Sequence, residues 1–232
     1  MQRDRHLLVG TAALLTRPVC SSLPAPPKVL CLHGYTQNGR VLKDRAAGFM
    51  RPLKQRKADL TFLDGPFGCT AHGEDADEAD ADESRRAWWR GGTYEGWEST
   101  RESVLELHRR EKFDGILGFS QGAAAAAMLA AEMAADGERS PRFVILVSGF
   151  VPGEAGTQAA EALLKGVTGI PSLHVIGRTD QMVPPARAHS LAALFDSASV
   201  LEHDKGHMIP SSAEARNELN RLLDDHGFRR AQ

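Results

Sequence analysis

The run Phe143-Val144-Ile145-Leu146-Val147 offers no residue that would turn toward water. A strand with one wet face alternates apolar and polar residues. A strand apolar throughout is buried on both faces, which is the habit of parallel sheets covered by helices. Comparable strand-like runs are Val29 to Leu32, Leu60 to Leu63, Phe113 to Phe119, Arg142 to Val147, Ser172 to Ile176 and Ser199 to Glu202. Between them the pattern predicts helices over about 40–57, 98–110, 121–136, 157–166, 184–195 and 212–225. Strand and helix in alternation, joined by right-handed crossovers, predict a three-layer α/β/α sandwich. Its mostly parallel central sheet has at least six strands and helices on both faces.

A chain of 232 residues suits one such domain. Apolar residues make up 42% and charged residues 25%, a globular balance, and the net charge of -2 gives no sign of a nucleic-acid partner or an anionic membrane. Three cysteines (Cys20, Cys31, Cys69) without a C-x-x-C pattern read as free thiols in a reducing compartment. No stretch approaches the roughly 20 apolar residues of a membrane span. Residues 1–27 carry Arg3, Arg5 and Arg17 and end in Ser21-Ser22-Leu23-Pro24-Ala25-Pro26-Pro27. They are expected to be a tail or a targeting segment, with the fold occupying 28–232. A cytoplasmic protein is the expectation, with mitochondrion or plastid as the alternative through this segment, and a weak secretory signal as a third. Residues 74–83 are almost wholly acidic and read as solvated loop. Arg85, Arg86 and Arg90 follow, with all three tryptophans (Trp88, Trp89, Trp97) and Tyr94 close by. The segment from about 67 to 98 is therefore expected to be a lid-like loop. Trp88, Trp89, Tyr94 and Trp97 are its candidate apolar wall for a substrate. No large cap domain is expected.

The chemistry centres on Gly118-Phe119-Ser120-Gln121-Gly122, between an apolar run and an alanine-rich stretch. Strand, sharp turn and helix in that order push a serine out of the sheet, and this is the nucleophile elbow of an α/β-hydrolase fold. Serine attacks a carbonyl only when a base takes its proton, and that base is normally a histidine held by a carboxylate. In this fold the order along the chain is Ser, acid, His. Asp180 follows the strand Leu173–Ile176, and His207 stands on a glycine-containing loop after the sixth strand. The rivals are weaker. His174 lies within a strand, His189 within a helix, His203 at a strand end and His226 near the C-terminus. Asp204 is only three residues before His207, Asp196 ends a helix, and Ser148 lacks the flanking pattern. The oxyanion needs backbone N–H donors. Gln121 at the helix start should supply one, and Tyr35 in His33-Gly34-Tyr35-Thr36 the other, with Gly34 bringing that loop near the serine. His33 precedes the serine and reads as a loop-shaping residue. No phosphate loop, dinucleotide fingerprint or metal-ligand spacing occurs, so no cofactor and no metal are expected.

Seven segments then carry a resemblance. They are Leu30–Asn38, Phe62–Pro66, Arg86–Trp89, Gly115–Ala123, Phe143–Phe150, Gly177–Pro184 and Gly206–Pro210. In this order they resemble the motifs of the FSH family of serine hydrolases, over roughly residues 28–225. The resemblance implies a carboxylesterase-type hydrolase with Ser120, Asp180 and His207 as the triad. The family includes fungal relatives that release acyl chains from carrier thioesters.

The expected function is thus cleavage of acyl esters, of medium or long chain given the aromatic segment. Acyl-protein or acyl-carrier thioester cleavage is the alternative, since Phe-Ser-Gln-Gly and Asp180-x-x-Val183-Pro184 also occur in acyl-protein thioesterases. A binding protein that keeps the fold without hydrolysis is the third reading. The expected partner is a small acyl ester or thioester, not nucleic acid and not a bilayer core. Monomer and homodimer are both open.

Overall fold

The computed structural model describes residues 25–70, 82–92, 94–135, 140–153, 163 and 165–230. In chain order the elements are β1 (Lys28–Leu32), α1 (Gly39–Arg45), α2 (Arg51–Gln55), β2 (Asp59–Leu63), β3 (Phe67–Cys69), β4 (Asp82–Ala87) and α3 (Trp97–Glu111). Then come β5 (Gly115–Phe119), α4 (Gln121–Ala135), β6 (Phe143–Val147), β7 (Ser172–Gly177), α5 (Pro185–Ala192), β8 (Ala198–His203) and α6 (Ala213–Asp225). The six main strands form one sheet in the order β2-β1-β5-β6-β7-β8, every pair parallel. This is the parallel, helix-covered sheet that the apolar runs predict, and the α/β-hydrolase architecture that the Gly118–Gly122 elbow predicts.

Successive residues of each strand serve opposite faces. Leu30, Leu32, Ile116, Val144 and Leu146 pack with α3, α4 and α5. Val29, Cys31, Leu117, Ile145 and Val147 pack with α1, α2 and α6 on the other side. Period-two alternation sends neighbours to two different apolar layers, so both sets are hydrophobic and the strand reads as one unbroken run. The alanines of α4 between Ala123 and Ala131 are buried on every side, and their small size lets this helix lie close against the sheet. Gly122 marks the tightest point. A Cβ there would stand 2.3 Å from Leu32 O and 2.4 Å from His33 O.

The strand order also fixes where a ligand can enter. From β1 the chain steps to β2 on one side, then to β5 on the other. Loops leaving the carboxyl ends of β1 and β5 therefore part in opposite directions and open a crevice between them. Tyr35 follows β1 and Ser120 follows β5.

Two expectations need correction. The single helix over 40–57 is two helices, separated by turn residues 46–50. Pro52, in the first turn of α2, has no N–H to donate and its ring clashes with a helical carbonyl four residues back, so a continuous helix cannot pass through it. The described residues of the segment 67–98 include regular strand as well as loop. Strands β3 and β4 pair antiparallel, and Arg86 N donates to Gln37 O at 2.8 Å, tying the hairpin to the loop after β1. The sequence Asp-Glu-Ser-Arg-Arg-Ala of β4 has no apolar alternation to announce it. Most of the acidic run 74–83, the tail before residue 25 and most of the helix expected over 157–166 lie outside the described residues.

Candidate active site

Ser120 is the last residue of a strand ladder and the first of a helix. Its N–H donates to Val147 O at 2.9 Å, continuing the β5–β6 pairing, while its carbonyl accepts from the amides of Ala123 and Ala124. Satisfying both elements at one residue forces a left-handed backbone, with φ at 53°. The first amides of α4 have no acceptor within the helix and lie at the positive end of its dipole.

The loop after β1 closes on this elbow. Gln37 N donates to Gly34 O at 3.1 Å, and a Cβ on Gly34 would meet Phe119 Cδ1 at 2.9 Å and Ser120 Cβ at 3.4 Å. Only glycine lets the Tyr35 backbone come this near the serine. His33 anchors the turn from beneath. It is fully buried, its Nδ1 is 2.8 Å from Gly34 O, and its Nε2 accepts from Gly65 N at 2.8 Å. Those partners assign the proton to Nδ1. Burial lowers its pKa to about 4, so the ring is neutral at physiological pH and shapes the loop, as expected from its place in the chain.

Asp180 and His207 meet at the same edge. Asp180 Oδ2 lies 2.8 Å from His207 Nδ1, and Oδ1 accepts from the amides of Met182 (3.0 Å) and Val183 (2.9 Å). The Asp180 side chain is 1% exposed. Burial pushes its pKa up, but the Val183 amide and the His207 ring outweigh burial and hold it below the usual carboxylate range. Ser148 Oγ adds a little to that lowering, yet it makes no well-formed hydrogen bond, so its contact with the carboxylate is a loose one. An Nδ1–H donated to Asp180 leaves His207 Nε2 as the proton acceptor. The His207 ring packs against Phe119, the residue before the serine, with centroids 4.9 Å apart.

Four of the rival side chains are engaged elsewhere. His174 is buried with Nε2 3.0 Å from Ser172 Oγ, His189 pairs with Glu202, and Asp204 with Arg178. Asp196 accepts from Gly169 N. Among the described residues no group of three or more His, Cys, Asp or Glu is arranged to hold a metal ion. No helix among them is long and apolar enough to cross a membrane.

Ser120 opens into a cavity of about 400 Å³ that Tyr35 and Gln121 also line. Of the four aromatic wall candidates, Trp89 and Tyr94 reach this cavity. Trp88 and Trp97 belong to the core. Trp88 stacks on His33 and donates its Nε1–H to His33 O at 2.7 Å, and Trp97 meets Trp89 edge-on at 5.6 Å. They support the wall from behind, because flanking residues of a turn cannot all face one cavity. Sequence reasoning missed Phe150, Met182, Val183 and Arg187 in the lining. Met182 and Val183 were within reach of it, standing just after Asp180. It also missed the Gln121 side chain, which accepts from Trp88 N (2.9 Å) and donates to Trp89 O (3.2 Å).

Comparison with known proteins agrees with this geometry. Residues 22–219 match the family described as serine hydrolase (FSH1). The chain is 35% identical to esterase OVCA2 of Bos taurus over 219 residues, covering 85% of this chain and 95% of the relative. It is 33% identical to esterase CG5412 of Drosophila melanogaster, covering 85% and 74%. Among solved structures, Arabidopsis thaliana SOBER1 aligns with a TM-score of 0.58 at 17% identity, covering 86% of this chain and 98% of that one. Zea mays acyl-protein thioesterase 2 gives 0.58 at 19%, covering 87% and 94%. At those identities the likeness is one of fold. A hydrolase elbow, a carboxylate–histidine pair on the same sheet edge and a family match over most of the chain converge: this protein belongs to the FSH1 serine hydrolases.

Proposed function

We propose that the protein hydrolyses carboxylic esters of medium or long acyl chains through an acyl-enzyme on Ser120. The observation that carries this reading is the Asp180–His207 hydrogen bond at the sheet edge where the Ser120 elbow turns out. Ser120 Oγ attacks the acyl carbonyl carbon while His207 Nε2 takes its proton, and Asp180 holds the ring in the required tautomer. The oxyanion is met by the Tyr35 and Gln121 amides, each worth a few kcal/mol at such a site. His207 returns the proton to the departing alkoxide, and water, deprotonated in turn by His207, releases the acid. A fluorophosphonate probe should label the wild-type protein and leave Ser120→Ala unlabelled. Undiminished labelling of that variant refutes the assignment.

Trp89, Tyr94, Phe150, Met182 and Val183 make most of the cavity wall apolar, which favours a long acyl group. A buried methylene is worth about 0.8 kcal/mol. Across p-nitrophenyl esters, kcat/KM should rise about three- to fourfold per methylene from acetate until the cavity is full. Acetate turning over fastest contradicts this. The series run with and without residues 1–27 also shows whether that segment affects the site. Thioester hydrolysis is the second reading, supported by the Val183 amide on Asp180 within the Asp-x-x-Val-Pro pattern and by the fold shared with the maize acyl-protein thioesterase. Matched oxygen esters and thioesters decide between them by their relative kcat/KM.

A further inference from the structure

The described wall of the cavity beside Ser120 is uncharged except at one point. Among the described residues lining it, Arg187 alone carries a formal charge, and none is Asp or Glu. The guanidinium lies over the face of Phe150, itself part of the wall, with its carbon 4.8 Å from the ring centroid. A guanidinium over an aromatic face keeps its N–H donors for other partners, because the ring accepts none of them along their own directions. Arg187 also acts on Tyr94 in the same wall. Burial raises the phenol's pKa, and the Arg187 charge opposes it.

Among the described residues no carboxylate pairs with this cation. Arg178, on the same edge of the sheet, is held by Glu202 and Asp204, whereas Arg187 has no ion-pair partner among the described residues. Asp180, five residues before α5 begins, is committed to the Met182 and Val183 amides and to His207. Arg187 moreover stands in the first turn of α5, where the helix dipole disfavours a cation and no acidic residue compensates. A local rule broken without compensation beside a reactive serine points to a ligand.

We propose that Arg187 is a specificity residue that pairs with a carboxylate on the substrate, so that the preferred ester combines an apolar chain with an anionic end. The inference rests on the ester-hydrolase reading above. A planar fork matches a carboxylate with two parallel N–H···O bonds, while the aromatic wall takes the chain between the ester and the charge. The carboxylate can sit on the acyl half or on the leaving half, and two substrates separate these sources.

The test compares 4-nitrophenyl octanoate with the mono-4-nitrophenyl ester of suberic acid and with 3-carboxy-4-nitrophenyl octanoate. Wild type, R187Q and R187K are assayed on all three, and the readout is the ratio of kcat/KM for each carboxylate substrate to that of the neutral ester. For one of the two carboxylate substrates, R187Q should lower this ratio about tenfold, and R187K should restore part of it because lysine keeps the charge without the fork. About 0.5 M salt should shrink the wild-type ratio. Which substrate responds identifies the half that carries the charge. Unchanged ratios for both substrates in R187Q overturn the proposal and leave Arg187 as a packing residue on Phe150. A wild-type protein inert toward all three esters overturns the esterase reading, and this one with it. Fluorophosphonate labelling of each variant reports an assembled elbow, and R187K carries the comparison if R187Q fails to fold.

Discussion

Six non-glycine residues among those described have a left-handed backbone; one is the proposed catalytic serine and three more surround it. Thr36 follows the proposed Tyr35 donor, Tyr94 lines the cavity, Ser148 lies beside Asp180, and Ser120 is the nucleophile candidate itself. Each such residue costs about 1–3 kcal/mol, a cost that a fold tolerates where the backbone angle serves a purpose. The strain at Ser120 is explained by the double role of its peptide groups, which end a strand and start a helix together. Geometry of this kind supports only a correctly protonated base, so the tautomer of His207 is the sensitive point. Asn at position 180 has nearly the shape of Asp but offers an N–H₂ where His207 Nδ1 needs an acceptor. Asp180→Asn should therefore favour the Nε2–H tautomer, which cannot take the serine proton. The expected result is a fall in kcat on the order of 10³- to 10⁴-fold on a neutral p-nitrophenyl ester, with KM little changed. Fluorophosphonate labelling should slow in parallel. A loss below tenfold contradicts the role given to Asp180.

At the scale of elements, the site depends on how α4 is joined to the segment that follows β4. Gln121 is 6% exposed and bridges Trp88 N and Trp89 O, while Thr100 Oγ1 on α3 donates to Trp88 O at 2.6 Å. Two helices thus converge on the backbone of two consecutive tryptophans. Gln121→Leu keeps the volume but strands a buried donor and a buried acceptor, and each stranded group costs about 1–3 kcal/mol. Urea unfolding should show a loss of about 2–4 kcal/mol; a loss under 0.5 kcal/mol would mean that water or a rearranged backbone satisfies both groups. The sequence announced Gln121 only as a residue after the serine, because periodicity and motif spacing describe chain neighbours and are silent on partners 32 or 33 residues away. The same limit explains Trp88 and Trp97. Their clustering with Trp89 and Tyr94 was visible, but which rings face the cavity depends on the β3–β4 hairpin, whose polar strand gave no signal. By contrast, the four inner strands were legible because both layers bury apolar side chains, and the meeting of Asp180 with His207 was legible because each follows a strand whose carboxyl end is on one edge of a parallel sheet.

For the molecule as a whole, that parallel sheet has a consequence for acid stability. Its two dry faces leave little room for charge, yet histidines sit within or against it. His33 at the end of β1 and His174 in β7 are 0% and 2% exposed, and burial lowers the pKa of each to about 4, with a small further push on His174 from His189. His174 is further held edge-on to Phe195 with centroids 5.1 Å apart. An unfolded histidine titrates near 6.5, about 2.5 units higher. As the pH falls below 6.5, the unfolded chain binds protons that the folded chain refuses, so stability declines, and it stops declining on this account below about 4, where the folded histidines also protonate. Each residue contributes a slope of at most one proton, or about 1.4 kcal/mol per pH unit, within that window. Asp180 works at lower pH. Its depressed pKa adds stability above the ordinary carboxylate range, and this is lost only as the pH falls through its folded value. Urea unfolding measured from pH 7.5 to pH 4 should therefore show stability falling mainly below 6.5. In His174→Gln, which can keep a hydrogen bond to Ser172, the slope between 6.5 and 4 should be shallower by up to one proton, with the two curves converging toward pH 4. Parallel curves across the window would show that His174 titrates alike in both states and that the dry faces of the sheet do not set the acid limit of the fold.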